Sequence, residues 1–552
     1  MQSPPGPATI FPAAQIHTMD PSVPTAAAVA VADGKILALG SADDLVATYS
    51  GVIDASLSDK VLLPGFVEAH CHAIEGGFWN YVYVGYFDRT APDGTLWPGC
   101  TTFAEVLDRL READAKLEDP SEPLLAWGLD PIYFDGDRLV ATHLDSVSET
   151  RQIFVMHASL HLATVNSRLM AEEGIGPDTD LEGVPKDGGG TPIGELQEFA
   201  AMGLATLGLR TMMAGVTNDQ AIQNFGRIAR NAGITTLTDL GSSPIGKESV
   251  ADRWLNGVDD GYPARVSVFY NPTMGGAQAS PEEAPGILAD LAAKSTDKLR
   301  FGHVKLILDG SIQGFTARIR WPRYHGTGEN GLWILAPEQV VAYLDAFHRA
   351  GVTVHAHCNG DEAVDLFLDA CDTVLAATGQ RDHRHTIQHC QLTSAGQYRR
   401  MKALGLCANI FSNHLFYWGD QHASTTVGPD RAARMNAAAT ALAAGVPLSM
   451  HCDAPVTPLG SLHVAWCAVN RITATGQILG PNERIGVAEA LRALTVGSAY
   501  QLKMDDEIGS LSPGKWADFA VLEDDPLAVD PTGLREVGVW GTVLGGVLQP
   551  AG

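Results

Sequence analysis

Basic residues are scarce: Lys and Arg number 37 against 64 Asp and Glu in 552 residues, a formal net charge of −27. A surface of that sign repels phosphate backbones and anionic headgroups, so neither nucleic acid nor a membrane surface is an expected partner. Long apolar runs are missing too. Nowhere do about 18 apolar residues follow one another, and Met1 to Phe11 lacks the basic cluster and apolar stretch of a leader, so a cytoplasmic location is expected. Cysteine is sparse, at 8 residues without a CxxC pair, which excludes a disulfide scaffold and a paired-cysteine zinc or redox motif. What remains, 45% hydrophobic and 18% charged, is ordinary globular composition, long enough for one large domain with an appendage.

Both chain ends have a β texture. Ala27 to Val31 and Lys35 to Leu39 flank an Asp33-Gly34 turn, and Asp518 to Leu522 and Gly538 to Leu548 alternate β-branched and small residues, so the two ends are expected to share a small β domain. Between them, apolar runs alternate with amphipathic stretches. Val352 to His357 reads as a strand, Asp361 as a cap, and Val364, Phe367, Leu368, Cys371, Val374 and Leu375 as a helical stripe that Gly379 stops. His385 to Cys390 followed by a Thr393 cap and a helix ending at Gly405 repeats the unit. Eight such strands are expected: Gly65–His72, Ile234–Leu240, Val266–Tyr270, Val304–Asp309, Val352–His357, His385–Cys390, Leu406–Phe411 and Pro447–Asp453. Eight βα units predict an α/β protein of the TIM-barrel type. The gap from about Asp88 to Met213 is too long for a βα connection and reads as an insertion with its own structure.

The C-terminal ends of these strands carry metal-ligand residue types: His70 and His72, Lys305, His357, His389 and Asp453. In an extended strand, positions two apart share a face, so His70 and His72 can meet one ion while Cys71 points away. Cys358, Cys390 and Cys452 also follow histidines, and the same alternation makes them apolar fillers towards the helix layer.

In order along the chain, VLLPGFVEAHCH, VKLILDGS, HCNGDEAVD, IQHCQL, SNHLFYWGD, SMHCDAPVTPL and the closing EIGSLSPGKWADFAVLEDDP resemble the amidohydrolase superfamily, in the branch that includes N-substituted formamide deformylase and related N-acyl amide hydrolases. The resemblance implies a distorted TIM (β/α)8 barrel over residues 63–504, with the insertion at about 88–213 near its active face, and a small β-sandwich formed from residues 1–62 and 505–552. It implies Zn²⁺ or a similar divalent ion, held by His70, His72, Lys305, His357, His389 and Asp453. Lys305 decides between one ion and two. As a carbamate, a modification common in this superfamily, it bridges two cations; as a plain amine it binds a substrate carboxylate or pairs with an acid.

The family's HxxGD pattern selects His357 over His355, which is left one layer deeper. Asp453 is the expected general base and acid, His451 a supporting residue, and His414 either an oxyanion stabiliser or loop packing. The pattern around Asn166 puts His161 at a substrate-facing edge. Trp79, Tyr417 and Trp418, among aromatics beside the motifs, suit an apolar or aromatic substrate group, with core packing as the alternative; Arg471 is left between an acid and a carboxylate partner. The expected activity is hydrolysis of a linear amide or related C–N bond, such as an N-formyl or N-acyl amide or a carbamate, by metal-activated water. A deaminase or cyclic amide hydrolase of the same superfamily is the alternative, and a non-catalytic binding or regulatory protein lies further off. The partner is a small molecule, with room left for a homodimer.

Overall fold

The computed structural model describes residues 7–134, 138–273, 278–379 and 382–552; the first six residues of the Met1 to Phe11 segment lie outside them. Its centre is an eight-stranded parallel sheet in which every strand pairs with its successor: Phe66–Val67, Ile234–Asp239, Arg265–Tyr270, Leu299–Ile307, Thr353–Cys358, Thr386–His389, Cys407–Ile410 and Leu448–Met450. The sheet curls until the chain beyond its outer strands meets, where Asp453 N donates to His70 O (3.1 Å) and His72 N to Ala454 O (2.8 Å).

Each of the eight expected strands has its counterpart. The first and last are shorter than expected, because the residues leading to the two histidines and the aspartate leave the regular ladder. Glu68 N still bonds Thr236 O, and Leu240 N bonds Cys71 O, but without strand geometry. The middle strands are buried on both faces, as a parallel sheet covered by helices requires. Val354, Ala356, Ile387, Ala408 and Ile410 belong to the apolar core. The alternate register positions carry polar groups instead: Lys305 pairs with His355, His357 with Gln388, Gln388 with Asn409, and Asn409 with Ser449.

The helix Asp361–Thr378 buries the expected stripe and stops at Gly379, whose φ of 81° suits glycine. Its N-cap is Gly360, not Asp361, which opens the first turn. Similarly, the helix Ala395–Leu404 is capped by Ser394 in a capping box with Gln397, one residue beyond the expected Thr393, since only Ser394 has a glutamine three positions on.

Both termini contribute to one further sheet, ordered Val547–Pro550, Val539–Leu544, Phe519–Leu522, Val61–Pro64, Thr9–His17, Thr25–Ala32 and Lys35–Gly40, with Val52–Ile53 beside Thr9–His17. The run Gly538 to Leu548 is a hairpin and not one strand: Gly545 and Gly546, at φ 57° and 80°, reverse it. Arg265 of the third barrel strand clamps the two sheets together. Its Nε donates to Asp518 Oδ2 at 2.7 Å and its Nη2 to Oδ1 at 3.2 Å, over the Trp516 ring. A five-stranded sheet, Glu195–Gln197, Leu162–Val165, Ile153–His157, Leu124–Leu129 and Val82–Tyr83, lies in the long stretch between the first two barrel strands.

Candidate metal centre

Where the barrel strands end, five of the expected ligands meet. Asp453 Oδ1 lies 3.3 Å from His70 Nε2 and 3.2 Å from His72 Nε2, and Oδ2 lies 3.6 Å from His389 Nδ1. Lys305 Nζ is 3.2 Å from His70 Nε2. The sixth, His357, joins through His389, with Nδ1 and Nε2 2.9 Å apart. All except His72 are buried, and Asp453 is 7% exposed.

Buried imidazoles in contact with one another must be neutral, since burial disfavours the cation. Burial, reinforced by the neighbouring Lys305 or by other histidines, pushes His70, His357 and His389 well below the usual imidazole range. Burial also brings Lys305 down to about 7, so a large share of it is the free amine at neutral pH. Burial opposes the charge of Asp453, yet the neighbouring His72, His451 and Lys305 hold it below the ordinary carboxylate value.

The tautomers follow from the layer beneath. Asn409 Nδ2 donates to Gln388 Oε1 at 2.7 Å, so that oxygen is an acceptor and the ring nitrogen His70 Nδ1, also 2.7 Å away, must carry the proton. The lone pair of His70 therefore lies on Nε2, the atom facing Asp453 and Lys305. Gln388 Nε2 in turn donates to His355 Nδ1 at 2.8 Å, which places His355 one layer below the ligands, as the family pattern led us to expect. His451 stacks on His70, centroids 4.6 Å apart, and neither of its ring nitrogens has a hydrogen-bond partner among the described residues.

Unpartnered buried polar atoms concentrate here: His72 Nδ1, His389 Nδ1, Asp453 Oδ1 and both nitrogens of His451. Such groups are costly unless something binds them. Among the described residues, His70, His72 and Asp453 form one convergent ligand set, and His70, His389 and His451 another. Imidazole nitrogens and a carboxylate are the donor set of a divalent transition ion, so the residues fit the metal that the sequence implies. Backbone strain gathers at the same place: His389, Cys390 and Asp453 are left-handed, at φ 74°, 50° and 56°.

That geometry changes the reason for excluding the cysteines. Regular strand alternation does not reach Cys71 or Cys390. They turn away nonetheless: Cys71 Sγ donates to Thr238 O (3.0 Å) and Cys390 Sγ to Ile387 O (3.3 Å). Burial raises the thiols of Cys71, Cys358, Cys390 and Cys452, leaving them protonated.

His161 reaches the centre from the insertion, its ring 5.4 Å from that of His357. Glu198, which the sequence reading did not single out, holds it twice: Glu198 N donates to His161 O at 2.6 Å, and the carboxylate meets His161 Nδ1 at 2.7 Å. Burial works against a charge on His161, but Glu198 raises its pKa overall. The left-handed φ of 63° at Glu198 was the feature no sequence motif announced.

His414 lies beyond Phe411, the rings 4.6 Å apart, and touches none of the six expected ligands. Its Nδ1 is 2.9 Å from His422 Nε2, and His422 Nδ1 is 2.8 Å from Thr426 Oγ1. Trp418 packs behind His414, ring centroids 4.4 Å apart, with Nε1 donating to Asp130 Oδ2 at 2.8 Å. Tyr417 leans edge-on to Phe87, and Trp79 packs in the insertion core against Trp127. Arg471 has neither partner considered for it. Its guanidinium is buried against the carbonyls of Leu479, Asn436 and Met435 and ties loops together.

Comparison with known proteins agrees with this architecture. The chain is 28% identical over 524 residues to the LONG AFTER FAR-RED 3 protein of Arabidopsis thaliana, covering 92% of this chain and 85% of that protein. It is 24% identical over 555 residues to N-substituted formamide deformylase of Arthrobacter pascens, covering 97% of each. The crystal structure of an uncharacterized metal-dependent hydrolase from Pyrococcus horikoshii superposes with a TM-score of 0.69 over 95% of this chain and 99% of that one, at 19% identity, and so shares its fold. The model of the amidohydrolase family matches residues 51–548. With nine-tenths of its length so matched and a histidine–aspartate centre at the barrel mouth, the chain belongs to the amidohydrolase family and is a hydrolase acting on C–N bonds.

Proposed function

We propose that this hydrolase cleaves a linear amide or related C–N bond, an N-formyl or N-acyl amide or a carbamate, at the centre formed by His70, His72, Lys305, His357, His389 and Asp453. The observation that carries the reading is Asp453 Oδ1, buried between two imidazoles without a hydrogen-bond partner. A divalent ion such as Zn²⁺, when bound, supplies Lewis acidity and brings the pKa of water to about 7. Lys305 favours two ions: its free amine can condense with CO₂, losing a proton and gaining a carboxylate that would supply a ligand for a second cation.

Asp453 is left to handle the proton. It accepts one from the attacking water and delivers it to the departing nitrogen, so that water and amide become acid and amine. His161, fixed by Glu198, and His414, fixed by His422, hold the carbonyl oxygen as charge develops on it. Trp418, Tyr417 and Trp79 shape the apolar wall for the substrate's side group. Residues 1–62 with 505–552 act as a supporting β domain and 63–504 as the catalytic one, the 88–213 insertion shaping the pocket.

The test is turnover of N-formyl and N-acyl arylamines by protein stripped with a chelator and then reloaded. Activity should disappear with the metal and return with Zn²⁺, and ¹³CO₂ should label Lys305. Full turnover after stripping would sink the proposal; release of ammonia or of a ring-opened acid would move the chain to the deaminases or cyclic amide hydrolases.

A further inference from the structure

A cavity of ≈ 540 Å³ opens beside the centre, walled by the insertion (Phe134, Gln197), the loop after the fourth barrel strand (Gln313, Phe315, Leu332) and the loop after the seventh (Thr425). A partition one residue thick separates it from the ligands. A methyl group on Gly310 would meet Thr316 Oγ1 at 2.2 Å and Glu198 Oε1 at 2.4 Å, while the carbonyl of the same Gly310 faces His357 Nε2 at 3.3 Å. Thr316 also lines the cavity, as does Gln197 next to Glu198. The cavity wall and the groups around His357 and His161 are thus one residue apart at Gly310.

The polar groups in the wall are nearly all committed. Arg138 Nε is paired with Glu195 at 3.1 Å, and Gln197 Nε2 donates to Glu195 Oε1 at 2.7 Å. The Tyr324 hydroxyl donates to Ala317 O at 3.1 Å, Thr316 Oγ1 accepts from Ser311 N at 3.0 Å, and Asn330 Nδ2 donates to Glu362 at 2.8 Å. Thr327, Glu329 and Thr425 stand in solvent on the rim. Gln313 is the exception. It is 4% exposed, its Oε1 is buried without a partner, and no described residue bonds its Nε2. A buried amide oxygen left unmet is costly and becomes favourable when a ligand supplies a donor, while the Nε2 beside it is free to give a hydrogen bond.

We propose that Gln313 is a recognition residue for a second, neutral amide-type group on the substrate, a carboxamide or secondary amide that gives a donor to Oε1 and an acceptor to Nε2. The arm that bears it is aromatic or branched, to fill the space between Phe134, Phe315 and Leu332. An anionic arm is disfavoured: among the described residues of the wall the guanidinium of Arg138 is neutralised by Glu195, and Glu329 sits at the rim. This deepens the proposed amide hydrolysis and rests on it for the placement of the scissile bond.

The experiment pairs calorimetric binding with kinetics on the full metal-loaded chain. Benzylamine, 4-(aminomethyl)benzamide and 4-(aminomethyl)benzoate are compared as ligands, and their N-formyl derivatives as substrates. The N-methylamides of phenylacetic and 4-carbamoylphenylacetic acid place the same group on the acyl side. On one side or the other, the carboxamide should tighten binding and lower KM about tenfold, the worth of roughly one hydrogen bond, with kcat little changed and no gain for the carboxylate. Gln313→Met should abolish the gain, bringing the carboxamide compounds to the level of their parents. Gln313→Glu, of the same shape, should transfer the preference to an amidine and guards against misfolding of the first variant. No carboxamide preference in the native chain, or a preference that survives Gln313→Met, overturns the pocket. A binding preference that depends on Gln313 without any turnover leaves the pocket standing and overturns the amide hydrolysis instead.

Discussion

His70 shows how a ligand is prepared from its far side. Its Nδ1 proton is held by Gln388, which is itself held by Asn409, so that one buried amide orients His70 and His355 together. Gln388→Leu removes both contacts and should weaken metal binding about 10- to 100-fold, as read by competition with a chelator; unchanged affinity would deny Gln388 this role. Asp453→Asn keeps the size of the side chain but not its basicity. Turnover should fall at least about 100-fold with the metal still bound and the melting temperature little altered; an active variant would remove Asp453 from proton transfer. Of these residues, Asp453 was legible from its motif. Gln388, Asn409 and Ser449 left a fainter signal, three polar residues at one register of strands otherwise apolar, which only a known strand alignment turns into a layer.

At the scale of elements, the barrel strand Arg265–Tyr270 and the terminal strand Phe519–Leu522 are linked by the Arg265–Asp518 pair, both side chains buried. Removing one partner strands a buried charge. Asp518→Ala should cost about 3–5 kcal/mol of stability, measured by denaturant unfolding, whereas Asp369→Ala, at an exposed pair with Arg400, should change it by less than about 1 kcal/mol. Equal effects would show that the clamp adds nothing. The strands themselves were legible because each is a short apolar run bounded by turn residues. Their ends were not. The first and last barrel strands keep regular geometry for only two and three residues, since the chain must bend there to turn His70, His72 and Asp453 into one point, and bending leaves no mark in a hydrophobic pattern.

Across the molecule, many histidines away from the centre are buried neutral: burial lowers His157 and His422 to about 3 and His303 and His463 to about 4. The unfolded chain protonates them near pH 6.5. Below that value it binds more protons than the native state, so stability present at pH 7 is lost as the pH falls through 6.5 towards 4. Each ring contributes on the order of 1–2 kcal/mol by pH 5. The melting temperature should therefore drop between pH 7 and 5, before most carboxylates titrate; a flat profile would show these rings to be solvated. The amino-acid order by itself determined the repeated βα pattern, the ligand types at the strand ends and the family, because apolar periodicity and motif spacing are local properties. Tertiary structure alone decided that Glu198 grips His161, that Gln388 sets the tautomer of His70, and that Gln313 lines a cavity with its amide oxygen unmet. Those are contacts between segments as far as 318 residues apart, and what they satisfy or leave unsatisfied exists only once the chain has closed around them.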